Sequence, residues 1–304
     1  MFLLYWGGVL VLAIVPFLSR QEAMPAILPA LAGGERSQCD PPGFPDPQLY
    51  ESAPPWLIPW EADPPQELKR LLQETGAYRV VGAFRTTLLH PLLEEEHNIA
   101  EAARYLQGKV IPPGQVFSTL RAIGPFTAER GYRDGPSYVG HRVVPSLGGG
   151  VCKISTTLYN AVILAGLQVV ERNPHGMPVP YVPPGRDATI AWGALDFRFK
   201  NSQPMPLVLW AQHRDRTLTI AIYGAYDPPQ ISWHHEIVGI VPSKDVRLPN
   251  PLLPKGEERR IGDQIPGFTV RSWVTEKWPG LPAETRFLGI DHYRPLAGIV
   301  EYGP

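Results

Sequence analysis

The sequence predicts an α+β fold: a mixed domain built on a glycine turn and a buried helix, followed by a small all-β C-terminal module. Three observations predict it. Helical periodicity is confined to short runs in the first half of the chain, and short β-rich runs separated by turn residues dominate from Leu167 onward. Proline takes 36 of 304 positions, against roughly 5% in average usage, which assigns much of the backbone to turns, edges and extended linkers. Few segments have the length of a parallel crossover, so helices and strands are segregated rather than doubly wound.

In chain order, Met1 to Leu18 is uncharged and almost wholly apolar, with Arg20 and Glu22 just beyond. Residues 1–32 are therefore expected to be a signal peptide or an N-terminal membrane anchor, and Ala30-Leu31-Ala32 resembles a cleavage site. The protein is expected outside the cytoplasm, membrane-anchored or secreted. Residues 33–65 hold nine prolines after position 40 and read as a semi-rigid spacer. Residues 66–226 form the expected mixed domain and residues 227–304 the β-rich one, divided at Asp227-Pro228-Pro229.

Within the mixed domain, Leu68, Leu71 and Leu72 mark a short helix over residues 66–74, and Tyr78 to Leu89 is rich in β-formers. Glu94-Glu95-Glu96 opens the next helix as a solvated acidic first turn, with Ile99, Ala102, Ala103 and Leu106 as its buried stripe and Gly108 as its stop. Tyr138 to Val144 predicts one strand. After the central helix, strands are expected at Leu167–Glu171, Ala188–Trp192, Phe197–Lys200, Leu207–Gln212 and Leu218–Tyr223. Beyond the boundary they recur at Ile231–Trp233, Glu236–Val241, Thr269–Thr275, Thr285–Asp291 and Gly298–Tyr302.

The chemistry concentrates at Gly148-Gly149-Gly150-Val151-Cys152-Lys153. Three glycines allow a sharp turn and close approach to a ligand. Ile154, Leu158, Ala161, Val162 and Ala165 then trace a helical face, and Gly166 sits where a left-handed cap belongs. Cys152 thus stands at a helix N-terminus, where the dipole favours a thiolate. Either it is a reactive nucleophile or it is a buried structural cysteine beside a tight turn. The chain's other cysteine, Cys39, lies in the proline-rich segment, which favours a free Cys152 over a disulfide.

A thiol catalyst needs a base, a group that orients the base, and donors for an oxyanion. Among eight histidines, His175 is the best-placed base, mounted between Asn173-Pro174 and Gly176; His141 is second. Asp187 either orients the histidine or pairs with Arg186. Backbone N–H groups at Gly150–Cys152 offer an oxyanion site if the turn faces the cleft, and Gly149, Gly150, Ser155, Thr156 and Arg186 could bind substrate, with capping, packing and pairing as the alternatives for the three side chains. Metal-ligand spacings are absent, so no metal or cofactor is expected. A net charge of -1 without a basic run argues against a nucleic-acid partner.

The run Gly148-Gly149-Gly150-Val151-Cys152, with Ser155-Thr156-Thr157-Leu158-Tyr159-Asn160-Ala161, resembles the signature of the VanW family. So do Pro113-Gly114-Gln115-Val116-Phe117-Ser118, Gly124-Pro125, Thr127, Gly131-Tyr132, Val170-Glu171-Arg172 with His175, Tyr181-Val182, Gly185-Arg186-Asp187-Ala188-Thr189 and Asp196 to Asn201. The resemblance runs collinearly from about Tyr78 to Tyr223. It implies a bacterial cell-envelope protein of a family tied by name to vancomycin resistance, with peptidoglycan stem peptides as partner. It further implies a cysteine L,D-transpeptidase forming 3-3 cross-links through a Cys152 thioester, with His175 moving the proton. A non-catalytic stem-peptide binder and a cell-wall cysteine peptidase are the alternatives. The chain departs from the family pattern at Lys153, where glutamine is usual, and at Glu94-Glu95, where an Asn/Asp-Arg pair is usual. A basic Lys153 could hold a thiolate or a substrate carboxylate. Leu253-Pro254-Lys255-Gly256-Glu257 and Tyr302-Gly303 faintly resemble small β modules named for their glycines.

Overall fold

The computed structural model of the chain describes residues 49–54, 57–139 and 142–304. The expected signal peptide or anchor, most of the proline-rich spacer, Cys39 and His141 lie outside the described residues. Among the described residues no helix is long and apolar enough to cross a membrane.

The mixed domain contains β1 (Tyr50–Ser52), α1 (Gln66–Thr75), β2 (Arg79–Thr87), α2 (Leu93–Leu106), β3 (Lys109–Ile111), β4 (Val116–Ser118) and α3 (Thr119–Ile123). It continues with β5 (Asp134–Val139), β6 (Arg142–Leu147), α4 (Cys152–Leu164), β7 (Gln168–Glu171), β8 (Arg198–Lys200), β9 (Leu207–Arg214) and β10 (Thr217–Gly224). Its centre is an antiparallel sheet in the order β1-β2-β10-β9-β3. Helix α4 lies on β2 and β10, and α2 on β9. The contact is close at Gly82 of β2, where an added Cβ would stand 2.3 Å from the Ala161 carbonyl oxygen. No side chain larger than hydrogen fits there.

Every residue of α4 from Lys153 to Ile163 is buried, not only the predicted stripe. A helix buried all round belongs to the interior rather than to a solvated surface. Its C-terminus closes as expected: Gly166 has φ +67°, and the Leu167 N–H reaches back to the Val162 carbonyl at 3.1 Å.

Three local expectations are corrected. The spacer does not extend to residue 65, because β1 adds an edge strand to the sheet and Trp60 is buried, its Nε1 donating to Tyr223 Oη at 2.8 Å. The expected strand at Tyr138–Val144 is a hairpin, β5 paired with β6. Ala188–Trp192 is not a strand; only Ala191 makes a single bridge, to Leu195. The hydroxyls of α4 occupy the hydrogen-bonding groups of Ala188 instead.

The C-terminal module consists of β11 (Gln230–Val241), β12 (Asp245–Pro249), β13 (Glu258–Gly262), β14 (Gly267–Lys277), β15 (Glu284–Tyr293) and β16 (Gly298–Tyr302). They form two sheets, β11-β14-β15 and β12-β16-β13. The two predicted runs at 231–233 and 236–241 are one long strand, continuous through a register shift between Ile237 and Gly239. Such a bulge breaks the alternation of side chains that would mark a single strand in sequence. The fold class stands as mixed helices and strands followed by β structure.

Candidate functional site

Cys152 is the first residue of α4, delivered there by the glycine turn. Gly148 and Gly150 adopt φ +77° and +95°, and a Cβ on Gly149 would lie 2.2 Å from the Gly135 backbone. Asn98 of α2 ties this turn down: its amide donates to the carbonyls of Arg133 and Gly149, each at 2.9 Å. Within the turn, the N–H groups of Gly149, Val151 and Lys153 are bonded to Ser146, Gly148 and Gly150 carbonyls. An oxyanion donor from this turn is therefore limited to Gly150 or Cys152.

The Cys152 thiol is free and half-buried. Its Sγ lies 3.4 Å from Thr189 Oγ1 and 3.4 Å from the Ile190 carbonyl oxygen. Burial alone would raise its pKa, but the hydrogen bond and charge of His175, with smaller help from Ile190 and Thr189, bring it below the usual thiol value.

His175 sits on the loop after β7, and the segment 185–190 runs beside it, joined by the Thr189 N–H to the Asn173 carbonyl at 2.8 Å. Its Nδ1 is 2.7 Å from Asp187 Oδ2. An ionised carboxylate only accepts, so Nδ1 carries the proton and Nε2 is the ring nitrogen left for the thiol. Burial works against a charged imidazole, yet the bonds to Asp187 and Cys152 outweigh it and hold His175 protonated above its usual range. Asp187 is 1% exposed. Burial would raise its pKa, but it accepts from His175 Nδ1, from the His175 N–H at 2.6 Å, from Tyr293 Oη at 2.5 Å and from Arg172 Nη2 at 3.1 Å. Those donors keep it ionised well below the normal carboxylate range. Asp187 and His175 form a buried carboxylate–imidazole pair, and the imidazole's charge acts on the Cys152 thiol in the direction that favours a thiolate–imidazolium pair.

The other expected site residues are placed differently. Ser155 and Thr156 are fully buried and bond Ala188: Ser155 Oγ donates to its carbonyl at 2.6 Å, and Thr156 Oγ1 accepts its N–H at 3.0 Å. They fasten the Asp187 segment to α4 rather than facing a ligand. Arg186 donates from Nε to Asn160 Oδ1 at 2.9 Å and stacks on Trp233, 4.6 Å from the ring centre, so it packs at the junction with the C-terminal module. Lys153 is 1% exposed, its Nζ has no hydrogen-bond partner among the described residues, and burial lowers its pKa to about 7. It points into the domain, near Glu95, whose carboxyl is raised by burial against the pull of Lys153. Glu95 is thus not simply a solvated helix start. The two departures from the family pattern lie side by side.

Sequence reasoning named Arg172 only within the family-like run and gave no role to it, to Asp291 or to Tyr293. Arg172 Nη1 grips both oxygens of Asp291 at 2.6 and 2.5 Å while its Nε donates to the Asp187 carbonyl at 2.7 Å. Asp291 and Tyr293 share one face of β15, the only signal available in the sequence. A groove of about 890 Å³ is lined by residues including Phe117, Arg121, half-exposed Trp192, Asp196 and Arg198, and by none of Cys152, His175 and Asp187.

Residues 94–223 match the family model described as VanW like protein. The uncharacterized protein YoaR of Bacillus subtilis (strain 168) is 41% identical over 129 residues, 42% of this chain and 43% of that protein. The vancomycin B-type resistance protein VanW of Enterococcus faecalis (strain ATCC 700802 / V583) is 26% identical over 136 residues, 43% of this chain and 50% of that protein. The chain thus spans half or less of the length of these curated relatives. Among solved structures, the IgA1 protease G5 domain matches 27% of this chain and 98% of its own, at 18% identity and a TM-score of 0.17. The HP0197-G5 structure matches 24% and 99%, at 17% identity and a TM-score of 0.15. Cys152, His175 and Asp187 all fall inside residues 94–223, the part of this chain that is similar to the VanW-like family.

Proposed function

We propose that the protein is a cell-envelope enzyme acting on peptidoglycan, a cysteine L,D-transpeptidase that forms 3-3 cross-links through a thioester on Cys152. The observation that carries this reading is the buried Asp187–His175 hydrogen bond at 2.7 Å beside a free thiol at the N-terminus of a buried helix, a thiol whose pKa the His175 charge lowers. The family resemblance supplies the substrate class.

In the first step the Cys152 thiolate attacks the carbonyl carbon of the diaminopimelate residue in a donor stem. The tetrahedral intermediate collapses with cleavage of the bond to D-alanine, whose amine takes the proton from His175. In the second step the side-chain amine of an acceptor stem attacks the thioester and gives a proton to His175. The thiolate leaves, and the ion pair is restored. Asp187 stays ionised and fixes the imidazole tautomer throughout. The N-terminal apolar segment fits placement of this domain outside the cytoplasm, by anchor or by secretion.

The test is incubation of the purified full chain, wild type and Cys152→Ala, with isolated sacculi, followed by mass analysis of the released muropeptides. New 3-3 dimers with wild type alone support the reading. Stem shortening that proceeds without an acceptor amine identifies a peptidase instead. Binding retained by Cys152→Ala, with no product from wild type, identifies a non-catalytic wall binder.

A further inference from the structure

We infer that the C-terminal β module is part of the reactive centre, with Tyr293 and Asp291 of β15 as positioning residues that fix Asp187 and, through it, His175. The inference rests on the thiol chemistry proposed above and extends it beyond the segment that matches the family.

Asp187 has two oxygens, and the contacts divide them. Oδ2 serves His175 alone, through its ring Nδ1 and its backbone N–H. Oδ1 is taken from the far side by Tyr293 Oη at 2.5 Å and Arg172 Nη2 at 3.1 Å. A carboxylate held at Oδ1 cannot rotate about its terminal torsion, so the acceptor direction toward the imidazole is set by groups that never touch the thiol. Tyr293 also accepts the Gly185 N–H at 2.6 Å, which anchors the turn two residues before Asp187. Burial and the neighbouring carboxylates hold its phenol well above its normal pKa, so the hydroxyl keeps its proton and donates it to Asp187.

Asp291 acts one step further back. Arg172 could swing away from Asp187, but both oxygens of Asp291 clamp it from β15. Arg172 is 10% exposed on its side chain, so its charge is compensated almost wholly by these two carboxylates. Two more contacts bring the module to the same loops. The Arg294 N–H donates to the Gly176 carbonyl at 2.8 Å, next to His175. Gly185, at φ +92°, meets Ser272 so closely that an added Cβ would stand 2.2 Å from Ser272 Oγ. A merely adhesive interface would bury apolar surface; this one also directs a phenol and an arginine-holding carboxylate at one buried oxygen.

The experiment measures iodoacetamide alkylation of Cys152 in the full chain across pH, quantified on the Cys152 peptide, for wild type, Tyr293→Phe and Asp291→Asn. Tyr293→Phe keeps the ring in its packing with Phe268 and Val270. The expected result is a fall of about tenfold at neutral pH in either variant, from loss of a hydrogen bond to a charged group. The profiles should converge with wild type at alkaline pH, where a thiol ionises without help. In parallel, the low-field proton resonance of His175 Nδ1–H should broaden or vanish. Variant profiles that overlay wild type at every pH, with that resonance intact, would overturn the inference and leave the proposed function standing. A fall by the same factor at every pH would overturn it too, since that signals occlusion rather than lost positioning. Wild-type Cys152 behaving as an ordinary thiol would instead overturn the proposed function. Should one variant fail to fold, the other carries the test.

Discussion

Asp187→Asn perturbs the site at its most constrained atom set. The replacement keeps the size of the side chain but removes the charge and turns one acceptor into an NH₂ donor. Asp187 accepts four hydrogen bonds, two on each oxygen. Whichever way the substituted amide is flipped, its NH₂ faces two donors: Tyr293 and Arg172, or both N–H groups of His175. The Nδ1 contact at 2.7 Å is a charge-assisted bond worth about 1.5–3 kcal/mol when a partner is lost. At about 1.4 kcal/mol per tenfold, the thiolate–imidazolium population at neutral pH should fall by roughly 10- to 100-fold. The side chain is 1% exposed, so solvent does not soften the loss. A buried donor facing donors should also lower folding stability by about 1–3 kcal/mol. The assay is the alkylation rate of Cys152 against pH, paired with thermal unfolding. An Asp187→Asn protein that alkylates like wild type at neutral pH would refute the reasoning, because Asp187 would then have no hold on His175.

Lys153→Met should stabilise the protein by about 1–3 kcal/mol by removing an unpartnered buried amine, while leaving Cys152 reactivity unchanged. The gain should depend on pH. Burial lowers the Lys153 pKa to about 7 in the folded chain, against about 10.4 unfolded, so the charged form opposes folding fully below about pH 7 and progressively less up to the unfolded value. Chemical denaturation at acidic, neutral and alkaline pH checks this; a gain that grows toward alkali would be the wrong sign. Gly82→Ala should cost about 1–3 kcal/mol or more, since its Cβ would meet the Ala161 carbonyl at 2.3 Å and Ala165 N at 2.8 Å. A thermal shift within error of wild type would show that α4 can lift off β2 without cost.

Local signals in the sequence carried the parts of the fold that depend on neighbours in the chain. The glycine triplet, the start of α4 at Cys152 and its closure at Gly166 follow from backbone freedom and periodicity over a few residues. His175 stood out as a candidate base from its rigid loop, and Asp187 was open between orienting a histidine and pairing with Arg186; the structure pairs it with His175 and Arg172. The roles of Ser155, Thr156, Lys153 and Arg186 were not, because a polar side chain on a helix or turn faces substrate or interior according to what packs over it. Here α4 is buried all round; Ser155 and Thr156 bond Ala188, Arg186 bonds Asn160, and Lys153 Nζ makes no hydrogen bond among the described residues. The least legible feature was the contact of Asp187 with β15, across more than a hundred residues. Asp291 and Tyr293 read only as two side chains on one face of a strand. Trp60 escaped for the same reason, as its partner Tyr223 lies at the other end of the domain.

Peptide-level mass spectrometry of the full chain, after brief exposure to tetrapeptide stems whose side-chain amines are blocked by acetylation, reads the acyl-enzyme itself. An acyl mass increment is expected on the Cys152 peptide of wild type, with stoichiometric release of D-alanine, and neither in His175→Ala. A Cys152 peptide that stays unmodified, while the same thiol alkylates rapidly with iodoacetamide, would contradict the proposed thioester on Cys152.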